Sequence, residues 1–183
     1  MHTAMFTDSS KPLSDTLLVV IDMQKDFVNG SLGTKEAQNI IDNVVSLITK
    51  HKGPIAYTLD THQDNYLETS EGKKLPVRHC IKGEEGHELI DELQLLLKDA
   101  RCFEKPTFGS VELARAIADD ATIKKVELAG VCTDICVVSN ALLIKAMRPD
   151  LEINVHASCC AGTTDSRHKS ALETMSSCQI EVI

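Results

Sequence analysis

Short apolar segments recur along the chain, and helical patterns fill the gaps between them. Segments 16–21, 55–59, 101–104, 125–131, 152–157 and 179–183 read as strands. The first contains Leu17-Leu18-Val19-Val20-Ile21 without a polar interruption, the pattern of a strand covered on both faces. Apolar residues at helical spacing predict helices over 34–50, 87–98, 111–119, 135–147 and 167–175. Thr34 is placed to cap the first of these, and Pro149 closes the fourth. Strands alternating with helices close as right-handed βαβ crossovers. The expected fold class is α/β: a three-layer α/β/α sandwich around a six-stranded parallel sheet. A length of 183 residues suits one domain, expected over 15–183, after a flexible polar lead-in at 1–14.

Composition narrows the function classes. Hydrophobic residues at 43% and charged residues at 25% exclude a disordered or collagen-like chain. No apolar run reaches the ~20 residues of a membrane span, so no membrane association is expected. A net charge of −8 speaks against nucleic acid as a partner. Seven Cys, an odd number with no signal peptide, predict free thiols in a reducing compartment, hence a cytoplasmic protein. Such thiols serve as buried filler, metal ligands or a nucleophile. Aromatic residues are only 3%, with no Trp.

In an open α/β sheet, ligands bind beyond the carboxyl ends of the strands. Those ends carry a selected set of residues. Strand one ends in Asp22, strand two in Asp60 followed by His62, and strand three in Lys105-Pro106. Strand four runs into Gly130-Val131-Cys132-Thr133-Asp134-Ile135-Cys136. Cys136 falls in the first turn of the following helix, where the macrodipole is expected to lower a thiol pKa and favour a nucleophilic thiolate. The alternative is a small buried hydrophobe. Asp22, at the mouth of an apolar cleft, suits a general base, or else a turn residue. Lys105 suits a charge that steadies both groups, or else a solvated loop lysine.

Asp60, His62 and His79 form a second set, one carboxylate and two imidazoles, which suits a catalytic-type zinc, iron or manganese site. Glu71 or Glu68 is the candidate fourth ligand, with Asp64 a further option. The alternative is two solvated loop histidines. All of these lie in or beside a polar stretch from Thr61 to about Gly86, long enough to imply function.

These residues in this order resemble the isochorismatase-like cysteine hydrolases, the superfamily of nicotinamidase and pyrazinamidase. The resemblance rests on Val20-Ile21-Asp22-Met23-Gln24-Lys25-Asp26-Phe27, Asp60-Thr61-His62, Leu75-Pro76-Val77-Arg78-His79-Cys80, Glu104-Lys105-Pro106-Thr107-Phe108-Gly109-Ser110 and Gly130-Val131-Cys132-Thr133-Asp134-Ile135-Cys136-Val137. It implies strand order 3-2-1-4-5-6 and a catalytic triad of Asp22, Lys105 and Cys136. It implies a divalent metal, zinc foremost, on Asp60, His62 and His79, with Glu71 the first candidate for the open fourth position. It also implies a cis peptide at Val131–Cys132 that aims the N–H groups of Cys132 and Cys136 at an oxyanion. The implied reaction is hydrolysis of nicotinamide or a close amide through a thioester, as in NAD salvage, by a homo-oligomeric enzyme. Phe27 is the expected ring contact. Leu75 stands where nicotinamidases usually carry an aromatic residue, which keeps a carbamoyl or ureide substrate open. A non-catalytic thiol or metal sensor, using Cys132 and Cys136, is the alternative from another class. Cys102, Cys159, Cys160 and Cys178 read as filler, and Cys80 as a flank to His79.

Overall fold

A computed structural model describes residues 14–183. Except for Ser14, the lead-in expected at 1–14 lies outside the described residues. Six strands form one parallel sheet in the order β3-β2-β1-β4-β5-β6. They are β1 (Thr16–Ile21), β2 (Ile55–Asp60), β3 (Arg101–Lys105), β4 (Lys125–Val131), β5 (Glu152–Ala161) and β6 (Glu181–Val182). Strand β1 is central, between β2 and β4, and its unbroken apolar run follows from that position. Side chains alternate across a strand. Leu17, Val19 and Ile21 therefore face one core, shared with Leu113, Ile117, Ile144 and Met175. Leu18 and Val20 face the other, shared with Val44, Ile48, Leu93 and Leu97.

The first core lies under α5 (Val111–Asp119), α6 (Val138–Met147) and α7 (Asp165–Ser177). The second lies under α2 (Lys35–Asn39), α3 (Ile41–Lys50) and α4 (Asp91–Gln94). A short α1 (Lys25–Val28) follows β1. Side-chain caps start three helices as the sequence suggests: Thr34, Ser110 and Thr164 hydroxyls accept from the N–H groups of Ala37, Leu113 and Arg167.

Several boundaries differ from expectation. The helix predicted over 34–50 breaks at Ile40, because Asn39 and the β-branched pair Ile40–Ile41 are poor helix formers. The helix predicted over 87–98 shrinks to α4. Residues 88–90 run extended instead, since Lys25 N–H donates to Glu88 O at 2.9 Å and Ile90 N–H to Met23 O at 3.0 Å. Strand β5 continues to Ala161, four residues past its predicted end, because it follows β4 to the Val131–Ala161 pair across an irregularity near Gly130.

Gly130 (φ +124°) pairs with Ile21, and a Cβ there would sit 2.0 Å from the Ile21 carbonyl oxygen. Only glycine suits this backbone and this approach. Gly130→Ala is expected to cost on the order of 3 kcal/mol. That corresponds to a fall in Tm of roughly 6–12 °C for a domain of this size, readable by calorimetry.

Candidate active site

The carboxyl ends of the neighbouring strands β3, β2, β1 and β4 share one rim of the sheet, and residues at or just past those ends touch. Asp22 leaves β1 with φ +48°, a left-handed turn that Asp tolerates better than most residues. Lys105, at the end of β3, is 1% exposed. Its Nζ lies 2.7 Å from Asp22 Oδ2, 3.1 Å from Asp60 Oδ1 and 3.5 Å from Cys136 Sγ. One buried ammonium thus joins a thiol to two carboxylates. Thr58 donates its hydroxyl to Asp22 Oδ1 at 2.6 Å, which leaves Oδ2 to the lysine.

Cys136 sits in a π-helical turn, 133–137, that leads into α6. The thiol pKa is not lowered there, contrary to expectation. Full burial pushes it well above the usual range, and Asp22 and Asp60 push it further than Lys105 can offset. The helix dipole is outweighed by desolvation. Burial also raises the Asp22 carboxyl, against the pull of Lys105, while Asp60 adds to the rise. Burial would raise Asp60 as well, but the His62 and His79 imidazoles beside it and the charge of Lys105 hold it well below the usual carboxylate range.

Asp60 is shared. Its Oδ2 faces a second cluster, with His62 Nε2 at 2.9 Å and His79 Nε2 at 3.6 Å. Glu71 Oε1 lies 3.7 Å from both imidazole nitrogens. The donor atoms of Asp60, His62, Glu71 and His79 all lie within 4.8 Å of one another. His62 Nε2 is buried and makes no hydrogen bond despite its short contact. His79 Nδ1 bonds the Val77 carbonyl at 2.8 Å, which fixes the ring and turns Nε2 inward. Converging lone pairs with a tethered second shell fit a divalent cation. Of the alternative fourth ligands, Glu68 is exposed and Asp64 pairs with Arg78, so neither joins the set.

A cavity of about 270 Å³ opens over both clusters. Cys136, Cys132, Asp60, His79 and Glu71 line it, with Phe27, Leu75, Phe108 and Ile135 as apolar walls. The Phe27 ring lies 5.5 Å from that of His79. Leu75 is 39% exposed at the rim. The Val131–Cys132 peptide is cis. All seven cysteines are free, and burial pushes Cys132 up to about 12. Redox-sensor thiols are exposed and acidic, the reverse of this pair.

Some residues of the site lie outside the candidate set, although Gln24 and Asp26 stand within the motif that carries the resemblance. Gln24 uses its whole amide: Nε2 donates to the carbonyls of Asp60 and His87, and Oε1 accepts from Asp60 N–H. Tyr66 is fully buried, its ring 4.6 Å from His62 and 4.9 Å from His79. Asp26 accepts from Cys80 N–H at 2.8 Å and so ties the His79 loop to α1. Hydroxyls, amides and surface acids are too common for spacing alone to single these out.

The turn that carries Cys136 is pinned to α7 by Thr133, whose hydroxyl lies 2.8 Å from His168 Nδ1. Burial lowers the His168 pKa. Its unfolded form therefore binds a proton more readily, and stability falls as pH drops through about 6.5. Above that pH the contribution is constant. Shifting pH from 7.5 to 5.5 is expected to cost His168→Gln less Tm than the parent protein in paired melts.

A family model, Isochorismatase domain, matches residues 16–183. The chain belongs to the isochorismatase family. It is 29% identical over 171 residues to the isochorismatase family protein PncA of Bacillus subtilis, covering 85% of this chain and 91% of that one. Among solved structures it is similar to the pyrazinamidase of Pyrococcus horikoshii in complex with zinc (29% identity, TM-score 0.79, 93% and 99% coverage). It is also similar to the N-carbamoylsarcosine amidase of Thermoplasma acidophilum (25% identity, TM-score 0.74, 91% and 94% coverage). The strand order, the Asp60–His62–Glu71–His79 donor cluster and the Asp22–Lys105–Cys136 contact thus occur together in a family member.

Proposed function

We propose that this protein is a cysteine amidohydrolase of nicotinamidase type, acting on nicotinamide or a close small amide, with Asp22, Lys105 and Cys136 as its catalytic triad. The observation that carries this is the single buried ammonium within 3.5 Å of both Cys136 Sγ and Asp22, under a cavity flanked by a four-donor metal cluster. At rest the thiol keeps its proton, because burial holds it neutral. Asp22, whose affinity for a proton burial raises, accepts that proton as the sulfur attacks the amide carbonyl. Lys105 stays charged throughout and holds the two groups in register. The N–H groups of Cys132 and Cys136 are the oxyanion donors in this scheme. Protonated Asp22 then gives its proton to the departing ammonia, leaving a thioester on Cys136. Asp22 then takes a proton from water as that water attacks the thioester, and passes the proton to the departing Cys136 sulfur as the acid is released.

Asp60, His62, His79 and Glu71 would hold a divalent metal. Their mixed nitrogen and oxygen donors suit zinc, with iron or manganese as alternatives. When bound, such an ion supplies a Lewis-acid anchor for a donor atom of the substrate. Phe27 provides an apolar surface beside it. An enzyme of this kind in the cytoplasm agrees with seven free thiols.

A second reading shares the chemistry and changes the substrate. Leu75 puts an aliphatic side chain at the rim position where the resemblance leads one to expect a ring, and one structural neighbour is an N-carbamoylsarcosine amidase. Ammonia release from a panel of nicotinamide, pyrazinamide and small carbamoyl compounds decides between them. Turnover of the pyridine amide, lost on chelation and restored by zinc, is expected from the first reading. Carbamoyl turnover with nicotinamide at background favours the second. No ammonia from any amide by zinc-supplemented protein overturns both.

A further inference from the structure

We infer that Arg167 selects amides that carry a carboxylate at the end remote from the scissile bond. This rests on the amidohydrolase reading and names its substrate class more narrowly. Arg167 lies in the first turn of α7 and lines the same cavity as Cys136. Its guanidinium is anchored at one corner, where Nη1 donates to Thr163 Oγ1 at 3.3 Å. Thr163 is itself fixed, donating its N–H and hydroxyl to the two oxygens of Asp134 at 2.8 and 2.6 Å. A guanidinium has five N–H donors. Among the described residues, no carboxylate forms an ion pair with Arg167. Two other arginines are used up within the protein. Arg78 pairs with Asp64 and Glu84, and Arg148 donates to the carbonyls of Ile117, Asp120 and Ile123.

The rest of the cavity explains what the open donors face. The carboxylates that line it, Asp60 and Glu71, belong to the metal cluster. Phe27, Leu75, Phe108 and Ile135 are apolar. The cavity that holds Cys136 therefore offers a substrate apolar walls and, at its solvent-exposed part, a cation whose remaining donors no carboxylate of the described residues takes. A neutral ring leaves that cation idle. A carboxylate accepts two parallel N–H bonds from it, in the fork geometry that lysine lacks. The class of substrate indicated is a short amido or ureido acid, with the amide at Cys136 and the carboxylate at Arg167.

The test uses full-length, zinc-supplemented protein and three probes: malonamate, succinamate and glutaramate, each beside its methyl ester. Ammonia release gives kcat/KM, and calorimetry on Cys136→Ser gives affinity without turnover. For at least one chain length the acid is expected to exceed its ester about tenfold in both measurements, the worth of a charge-assisted hydrogen bond. In Arg167→Leu the acid-to-ester ratio is expected to fall close to one, and in Arg167→Lys to recover in part. A ratio near one in the parent protein overturns the inference. So does an acid preference that survives Arg167→Leu, which would put the carboxylate on the metal cluster instead. Absence of ammonia from every amide, nicotinamide included, counts against the amidohydrolase reading alone, and calorimetry still decides the role of Arg167.

Discussion

Cys136→Ala is expected to lower ammonia release by roughly 10⁴–10⁶-fold, the loss typical of removing a nucleophile from a triad that acts as a unit. Two thiols line the cavity, Cys132 and Cys136, and it is the Cys136 sulfur that lies beside the Lys105 ammonium, placed to form a covalent acyl intermediate. Lys105 still joins Asp22 to Asp60 in this variant, so the buried charges remain balanced. Tm should therefore move by only a few degrees, in keeping with the small volume of a thiol. Activity lost with the fold retained is the outcome expected from paired rate and melting measurements. Retention of more than a tenth of the parent rate would remove Cys136 from the chemistry.

Lys105→Met is expected to damage both activity and fold. It removes the only ammonium that contacts Asp22, Asp60 and Cys136 among the described residues. Two buried carboxylates then face each other without their shared cation. Breaking a buried pair on one side costs about 3–5 kcal/mol. Activity should fall at least about 10³-fold, because Asp22 and Cys136 lose the group that sets their spacing. The pH dependence has a defined sign. Burial already raises the Asp22 carboxyl, and loss of Lys105 raises it further. A proton on Asp22 relieves the repulsion, so the stability deficit should shrink as pH falls and grow as pH rises. Chemical denaturation of the parent and Lys105→Met at pH 5.5 and 7.5 reads this difference. Lys105→Arg is expected to leave activity low, since a planar fork cannot reproduce three contacts arranged around a point charge.

Much of the site was legible because charge at the end of a buried strand is costly. Asp22 and Asp60 each end a mostly apolar strand, Lys105 ends a mixed one, and the burial of all three requires partners. The D-x-H spacing of Asp60 and His62 placed two donors on one strand end, and His79 completed the set. The resemblance supplied the strand order, which periodicity alone did not fix. Other features depended on contacts that leave no periodic trace. Gln24 and Thr58 act through hydrogen bonds across the sheet, three by the Gln24 amide and two by the Thr58 hydroxyl. Phe108 and Arg167 reach the cavity from loops and helix starts whose packing spacing does not encode. The predicted helix at 87–98 failed because Leu89 and Ile90 fit an apolar helical face equally well as an extended edge against Met23 and Gln24. The thiol pKa was misjudged by weighing the helix dipole without the burial and the two carboxylates around Cys136.

The central claim is that a protonated thiol, steered by Asp22 and Lys105, takes the acyl group of an amide. Turnover in the presence of hydroxylamine tests this directly, because a thioester partitions between water and the stronger nucleophile. The expected result is hydroxamate formed at the expense of the free acid, with an acyl adduct mapped to the Cys136 peptide after acid quench. Steady ammonia release with no hydroxamate and no adduct on Cys136 would contradict the covalent route.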